Sequence, residues 1–154
     1  MKTEIITITD TSGSMRSVLS SAIHGYNQFI VDQKRQEGEA RITDIRFADT
    51  AWQSYHGPLE NYGSFSMSPS GSTALNDAIG QTLVAQGKRI ADEKWADLVI
   101  VSILTDGEEN ASREFTAERV RTMVEHAQSH GWKFVYLAAN QDAFQVSQKY
   151  GFHK

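Results

Sequence analysis

The sequence of 154 residues contains no cysteine and no excess of positive charge. Without cysteine the chain has no disulfides, thiolate zinc sites or thiol nucleophiles, so oxygen atoms remain as the main source of side-chain chemistry. Fifteen Lys and Arg stand against 19 Asp and Glu, a formal charge of −4. This balance disfavours both nucleic acid and anionic membranes as partners.

Long apolar segments are also absent. No run approaches the roughly 18 apolar residues of a membrane-spanning helix, and the N-terminus lacks a basic segment followed by an apolar stretch of signal length. We therefore expect a cytoplasmic protein. The length fits a single domain over residues 1–154, which can bury roughly 70% of the surface of its unfolded chain.

What the sequence does contain is an alternation of strand-like and helix-like patterns. Three apolar runs predict buried parallel strands, at residues 5–8, 98–104 and 134–138. Four segments show helical periodicity, from residue 15 to about 37, from 75 to about 94, from 116 to about 130 and from 140 onwards. Two further strands, joined by two residues, predict a hairpin at residues 40–48 and 51–56. The pattern predicts an α/β fold: an open, doubly wound, mostly parallel sheet flanked by helices, with one antiparallel edge hairpin.

Residues 57–72 have neither a helical nor a strand period, and they are rich in Gly, Pro and Ser. A loop of this length inside a compact domain is often functional. Tyr62, Phe65 and Met67 have two interpretations. They either pack the loop against the domain or form an apolar rim that grips a partner.

Oxygen-bearing side chains follow the strands at their carboxyl ends. Asp10, Ser12 and Ser14 follow the first strand, Thr73 closes the long loop, and Asp106 follows the central strand. The carboxyl ends of parallel strands form the ligand-binding edge of such a sheet. Small hard cations such as Mg²⁺ prefer oxygen ligands at about 2.0–2.1 Å in octahedral geometry. The sequence predicts a composite cation site at this edge, although Ser14 is also placed to cap the following helix.

These segments resemble a known motif. Asp-Thr-Ser-Gly-Ser-Met at residues 10–15, Gly-Ser-Thr at 71–73 and Leu-Thr-Asp-Gly at 104–107 closely resemble, in order and spacing, the three parts of the metal ion-dependent adhesion site of von Willebrand factor type A domains. The chain is most similar to small stand-alone prokaryotic and phage members, which share Thr-Asp-Gly-Glu-Glu-Asn at 105–110 and Asn-Gln-Asp-Ala at 140–143.

The resemblance implies a ligand set and a function. Ser12 and Ser14 would ligate the cation directly, and Thr73, Asp10 and Asp106 directly or through water. The cation would be Mg²⁺, or another divalent cation such as Mn²⁺ or Ca²⁺. A remaining coordination position would accept a Glu or Asp carboxylate of a partner protein. The expected function is a divalent-cation-dependent protein-binding module without catalysis.

Two other functions remain as alternatives. Asp10 at the end of the first strand could be the nucleophile of a Mg²⁺-dependent phosphoryl hydrolase. However, the position where a phosphatase of the haloacid dehalogenase type has its second Asp is Ser12, and the chain has no Gly-x-x-x-x-Gly-Lys phosphate loop. The other alternative is a non-catalytic regulatory subunit of a larger assembly.

Other polar clusters are expected to serve the structure. Glu108 and Glu109 are interpreted as solvated side chains or partners of a helix dipole. His126 and His130 share a helical face, which permits zinc binding, but no Glu stands at the metalloprotease position. We expect this histidine pair to be solvated.

Overall fold

A computed structural model describes residues 1–63 and 65–138, and this part of the chain forms one five-stranded sheet with helices on both faces. The strands are β1 (Lys2–Asp10), β2 (Glu39–Phe47), β3 (Ala51–Pro58), β4 (Leu98–Thr105) and β5 (Lys133–Ala138). The α-helices of the described residues are α1 (Leu19–Lys34), α2 (Leu75–Glu93) and α3 (Ala117–Ser129).

The strand order is β3-β2-β1-β4-β5. Strand β1 pairs in parallel with β2 and β4, β4 pairs in parallel with β5, and β2 pairs with β3 antiparallel. The predicted α/β fold with a mostly parallel sheet and an antiparallel edge hairpin is confirmed. The helix predicted from residue 140 lies outside the described residues, and a single domain over residues 1–154 stays a prediction.

Two apolar layers cover the sheet because side chains alternate along each strand. Ile6 and Ile8 of β1 pack in the cluster that includes α2 and α3, whereas Ile5 packs in the cluster that includes α1. Val101 and Ile103 of β4 join the first cluster. The apolar runs at residues 5–8 of β1 and 98–104 of β4 follow from this burial on both faces.

The first helix begins differently from the prediction. The predicted helix from residue 15 to about 37 is a 3₁₀ helix over Gly13–Val18 followed by α1, which ends at Lys34. The tight first turn closes with a hydrogen bond from the Met15 N–H to the Ser12 carbonyl at 3.0 Å. The i to i+3 bonding of a 3₁₀ helix lets the chain reverse directly after β1.

The long loop is packed against the domain. Of the predicted loop at residues 57–72, the first two residues end β3 and Leu59–Asn61 form a 3₁₀ turn, and the buried residues of the remainder include Tyr62, Phe65 and Pro69. Tyr62 is 7% exposed and Phe65 is 3% exposed, and both belong to the apolar cluster under α1. Of the two interpretations of this loop, packing is therefore correct, and Tyr62 and Phe65 do not form an exposed rim.

Candidate metal-binding site

Asp10 is the last residue of β1, and it lies fully buried at the carboxyl edge of the sheet. One carboxylate oxygen accepts a hydrogen bond from the Ser12 N–H at 2.8 Å, and the other accepts one from the Thr105 hydroxyl at 2.8 Å. Thr105 ends β4, the parallel neighbour of β1. The sheet register thus brings the first and third parts of the predicted site together.

The hydroxyl oxygens of Ser12 and Ser14 lie 3.1 Å apart. Ser12 is fully buried, and Ser14 is half-buried inside the 3₁₀ helix. The alternative role of Ser14 as a helix cap is excluded, because the residue before the 3₁₀ helix is Ser12 and the residue before α1 is Val18. Adjacent ligands of an octahedral Mg²⁺ at about 2.1 Å are separated by about 3 Å. The spacing of the two hydroxyls therefore fits such a cation.

Thr73 is held by the loop that follows β4. Its N–H donates to the side-chain oxygen of Asn110 at 2.8 Å, and its carbonyl accepts from the N–H groups of Asn110 and Ala111 at 2.8 and 3.0 Å. Thr73 is 1% exposed. Asn110 is a residue of this site whose role sequence reasoning missed. Its place in the segment of residues 105–110 was the available signal.

A glycine contact joins the first and second parts of the site. The Gly13 N–H donates to the Gly71 carbonyl at 2.9 Å, and Gly71 has a positive φ of 88°. A side chain at this position would be strained, and its Cβ would lie 3.2–3.3 Å from Asp49 and Ala48. Glycine here lets the two loops approach closely.

Asp106, the second predicted acidic ligand, lies directly after β4. It is 7% exposed, and one carboxylate oxygen accepts a hydrogen bond from the Glu108 N–H at 3.1 Å. Neither Asp10 nor Asp106 forms an ion pair within residues 1–63 and 65–138. Burial raises the pKa of Asp10, hydrogen bonds from Ser12 and Thr105 lower it, and the charge of Asp106 raises it further. A nearby cation would offset both the burial of Asp10 and its repulsion by Asp106.

The donor set is made of carboxylates and hydroxyls. Across the part of the chain that the structure describes, no group of three His, Cys, Asp or Glu side chains is placed to hold a metal. Any cation at this edge would therefore depend on Ser and Thr oxygens beside Asp10 and Asp106. Carboxylate, hydroxyl and water oxygens suit a hard cation such as Mg²⁺.

The remaining polar clusters have structural contacts. Glu109 accepts hydrogen bonds from the N–H groups of Asn76, in the first turn of α2, and of Ser112 at 2.7 and 2.9 Å. This arrangement supports the interpretation of Glu109 as a partner of a helix N-terminus. The exposed rings of His126 and His130 lie 4.5 Å apart.

Comparisons with known proteins agree with this fold. No protein-family model matches the chain, and no curated protein does. Among solved structures, the pilus adhesin SpaC from Lactobacillus rhamnosus GG is similar with a TM-score of 0.67 and 14% identity over 95% of this chain and 26% of its own. The ArnB paralog VWA2 from Sulfolobus acidocaldarius has a TM-score of 0.55 and 14% identity over 96% of this chain and 39% of its own.

A third similar structure is BatB from Bacteroides thetaiotaomicron, with a TM-score of 0.54 and 19% identity over 86% of this chain and 64% of its own. The chain therefore spans from about a quarter to about two thirds of the length of these structures. Together these likenesses show that the chain has the von Willebrand factor type A fold. In the described residues, no helix combines the length and the apolar character needed to span a bilayer.

Proposed function

We propose that this protein is a divalent-cation-dependent binding module that captures an acidic group of a partner protein. The observation that carries the proposal is the pair of Ser12 and Ser14 hydroxyls, 3.1 Å apart, beside the buried Asp10 carboxylate. Thr73 and Asp106 lie on loops at the same edge of the sheet, and we infer that they complete the ligand set. Mg²⁺ is the expected cation, with Mn²⁺ or Ca²⁺ as substitutes.

The residues favour capture when the two carboxylates, Asp10 and Asp106, hold the cation through water, because its directly bound ligands then neutralise it incompletely. Three of the five proposed ligands, Ser12, Ser14 and Thr73, are neutral hydroxyls. A bound cation would supply positive charge toward a carboxylate from outside, and such charge-assisted contacts are strong. The hydrogen bonds of Asp10 with Ser12 and Thr105 would keep the first and third loops in register. A Glu or Asp of the partner is therefore the group that we expect to complete the site.

A binding role fits the surroundings of Asp10 better than hydrolysis does. The Asp10 side chain is fully buried, so it offers no open path for the in-line approach of a phosphate ester, whereas each of its oxygens accepts one hydrogen bond and keeps a lone pair for a cation or its water. The solved structures of similar fold include a pilus adhesin, which supports an interaction module. A regulatory subunit of a larger assembly would use the same site and differ in the partner. The cytoplasmic location stays a prediction of the sequence.

Cation binding is tested by comparing two serines of the same 3₁₀ helix. Ser14→Ala removes a proposed ligand, whereas Ser17→Ala removes an exposed hydroxyl that donates to the Ser14 carbonyl at 3.2 Å. Calorimetric titration with MgCl₂ should show binding to the wild type and to Ser17→Ala, and much weaker binding to Ser14→Ala. At a cation concentration 100 times Kd, binding stabilises the folded protein by about 2.7 kcal/mol. For a chain of this length, that corresponds to a rise in Tm of roughly 5–10 °C.

Absence of heat and of any Tm shift in the wild type with Mg²⁺, Mn²⁺ and Ca²⁺ would exclude the proposal. Equal affinities of Ser14→Ala and the wild type would exclude this ligand set. Capture of a carboxylate requires a second step. A partner retained in Mg²⁺ and released by EDTA should lose binding when one of its Asp or Glu residues is replaced by Asn or Gln, and persistence of binding in every such variant would refute carboxylate capture.

A further inference from the structure

We propose that Asn27 of α1 is a positioning residue for Thr73: it anchors the start of the long loop to the helix that also follows Ser12 and Ser14. This inference rests on the proposed function, because it assigns a residue that acts on the cation site without touching it. Its basis is the way in which the loop lies along α1.

The loop runs antiparallel to the helical segment of residues 13–34, which comprises the 3₁₀ helix and α1. Residues later in the loop contact residues earlier in this segment. The successive contacts are Lys34 Nζ with the Tyr62 carbonyl, the Asn27 side chain with the Phe65 backbone, Arg16 with the Pro69 carbonyl, and the Gly13 N–H with the Gly71 carbonyl. Thr73 follows two residues later. The loop therefore packs along the helical segment as far as the candidate site.

Asn27 is the residue of this series that forms two hydrogen bonds with the loop. Its side-chain oxygen accepts from the Phe65 N–H at 3.0 Å, and its amide nitrogen donates to the Phe65 carbonyl at 3.5 Å. The Phe65 ring packs on Tyr26 with ring centroids 4.4 Å apart, and the Arg46 guanidinium lies 4.7 Å from its centroid. Asn27 thus satisfies the backbone of a residue whose side chain is already in the core.

A buried network of polar side chains also holds the start of the loop, at Tyr62. The Tyr62 hydroxyl donates to Asp44 at 2.6 Å and also bonds to the Tyr26 hydroxyl at 2.8 Å. The Asp44 side chain is fully buried and paired with Arg46 at 3.1 Å. Burial together with the charge of Asp44 raises the pKa of Tyr62, so its hydroxyl remains protonated as a donor at neutral pH.

Between the anchor and the site, single hydrogen bonds hold the loop: from Arg46 to the Ser66 carbonyl at 3.5 Å, from Arg16 to the Pro69 carbonyl at 2.8 Å, and from the Ser70 N–H to the Thr11 carbonyl at 3.0 Å. Phe65 and Pro69 are buried, whereas Ser66, Ser68 and Ser70 are exposed. Loss of the bonds from Asn27 would free the entry of the loop, while the contacts near Gly71 would keep its end close to the site. The expected effect is a less well ordered Thr73 in a protein that still folds.

The test compares Asn27→Ala with Gln28→Ala. Gln28 is the neighbouring exposed residue of α1, and its amide bonds to Asp32 within the same helix at 2.9 Å. Replacing a residue that orients a ligand typically weakens metal binding about 10–100-fold. We expect Asn27→Ala to raise the Kd for Mg²⁺ at least about 10-fold, and Gln28→Ala to leave the Kd unchanged. Asn27→Asp keeps the acceptor for the Phe65 N–H, so it should restore most of the affinity.

A second variant separates positioning from general destabilisation. If Asn27 acts through Thr73, Asn27→Ala should cause no further loss of affinity in a Thr73→Ala background, because the ligand that it positions is already absent. Additive losses in the double variant would contradict the proposal. An unchanged Kd in Asn27→Ala, with only a lower Tm, would show a purely structural role and overturn it.

Amide hydrogen exchange in EDTA distinguishes this inference from the proposed function. The Thr73 N–H, bonded to Asn110, should exchange faster in Asn27→Ala than in Gln28→Ala or the wild type. Unchanged exchange would refute the positioning role whether or not the wild type binds a cation. Faster exchange in a protein whose wild type binds no divalent cation would refute the proposed function, and with it a role of Asn27 toward a cation.

Discussion

Gly80 of α2 is a point at which the packing predicts an unusual response to alanine. A Cβ built at Gly80 would lie 2.4 Å from Cγ and Cδ1 of Phe115 and 2.7 Å from its Cδ2, whereas nothing lies within 4 Å of a Cβ at Gly87 of the same helix. Ordinary contacts of a Cβ begin at 3.4 Å, so the ring of Phe115 would have to move by about 1 Å (3.4 − 2.4).

Phe115 cannot make this movement freely. Its ring is 7% exposed within the apolar cluster, and its backbone N–H is bonded to Asp77 of α2 at 2.8 Å. Overpacking of this kind costs about 1–3 kcal/mol. Replacing a helical glycine by alanine gains about 1 kcal/mol through backbone entropy. Gly80→Ala should therefore lose about 1 kcal/mol net, and Gly87→Ala should gain about 1 kcal/mol.

The assay is equilibrium unfolding in urea, followed by circular dichroism, for the wild type and both alanine variants. The difference of about 2 kcal/mol between the variants isolates the contact with Phe115, because both gain the same helix propensity. It corresponds to roughly 4–8 °C in Tm. In a Phe115→Ala background, Gly80→Ala should become stabilising. Equal stabilisation by Gly80→Ala and Gly87→Ala in the wild-type background would refute the reasoning.

Two further predictions concern carboxylates outside the site. Burial raises the pKa of Asp77, but hydrogen bonds from three backbone N–H groups of the loop before α3 outweigh it and lower that pKa below 3.8. Asp77→Asn should lose about 1.5 kcal/mol at pH 7. The difference should disappear as the pH falls below 3.8 through the folded pKa. Glu4 is fully buried between Arg41 and Arg89. Glu4→Gln should lose about 3 kcal/mol, whereas Glu93→Gln, which faces the same arginines with 37% exposure, should lose far less.

Urea unfolding at several pH values checks both predictions. For Asp77→Asn, a loss that stays constant from pH 7 to below 3.8 would mean that the charge of the carboxylate is not what stabilises the loop. For the second pair, comparable losses in Glu4→Gln and Glu93→Gln would mean that burial does not decide the strength of this ion cluster.

Much of the fold follows from local patterns. The runs that became β1 and β4 are apolar because both of their faces are covered, and this property is visible in the sequence alone. The helix predicted from residue 116 begins at a local capping residue, since the Thr116 hydroxyl accepts the Arg119 N–H at 3.1 Å. The start of the first helix could not be predicted, because periodicity does not distinguish a 3₁₀ turn from the first turn of an α-helix.

At the candidate site, the contacts between residues distant in sequence could not be predicted. The sequence indicated that Asp10, Thr73 and Asp106 follow strands or close a loop near one edge. It marked Asn110 only as part of the segment of residues 105–110, and it did not show that Asn110 would hold the Thr73 N–H or that Thr105 would donate to Asp10. Such bonds join residues that are 37 and 95 positions apart, and no local pattern encodes them.

By itself, the sequence determined the fold class and the identity of the candidate ligands, because the alternation of strand and helix places oxygen-rich turns at the carboxyl ends of parallel strands. The pentapeptide of residues 10–14 was already identifiable as a candidate cation-binding turn. Only the tertiary structure decided that Ser14 does not cap a helix and that the long loop is laid along α1 through Asn27 and Phe65. These outcomes depend on which distant segments pack together, and packing is a property of the whole folded chain.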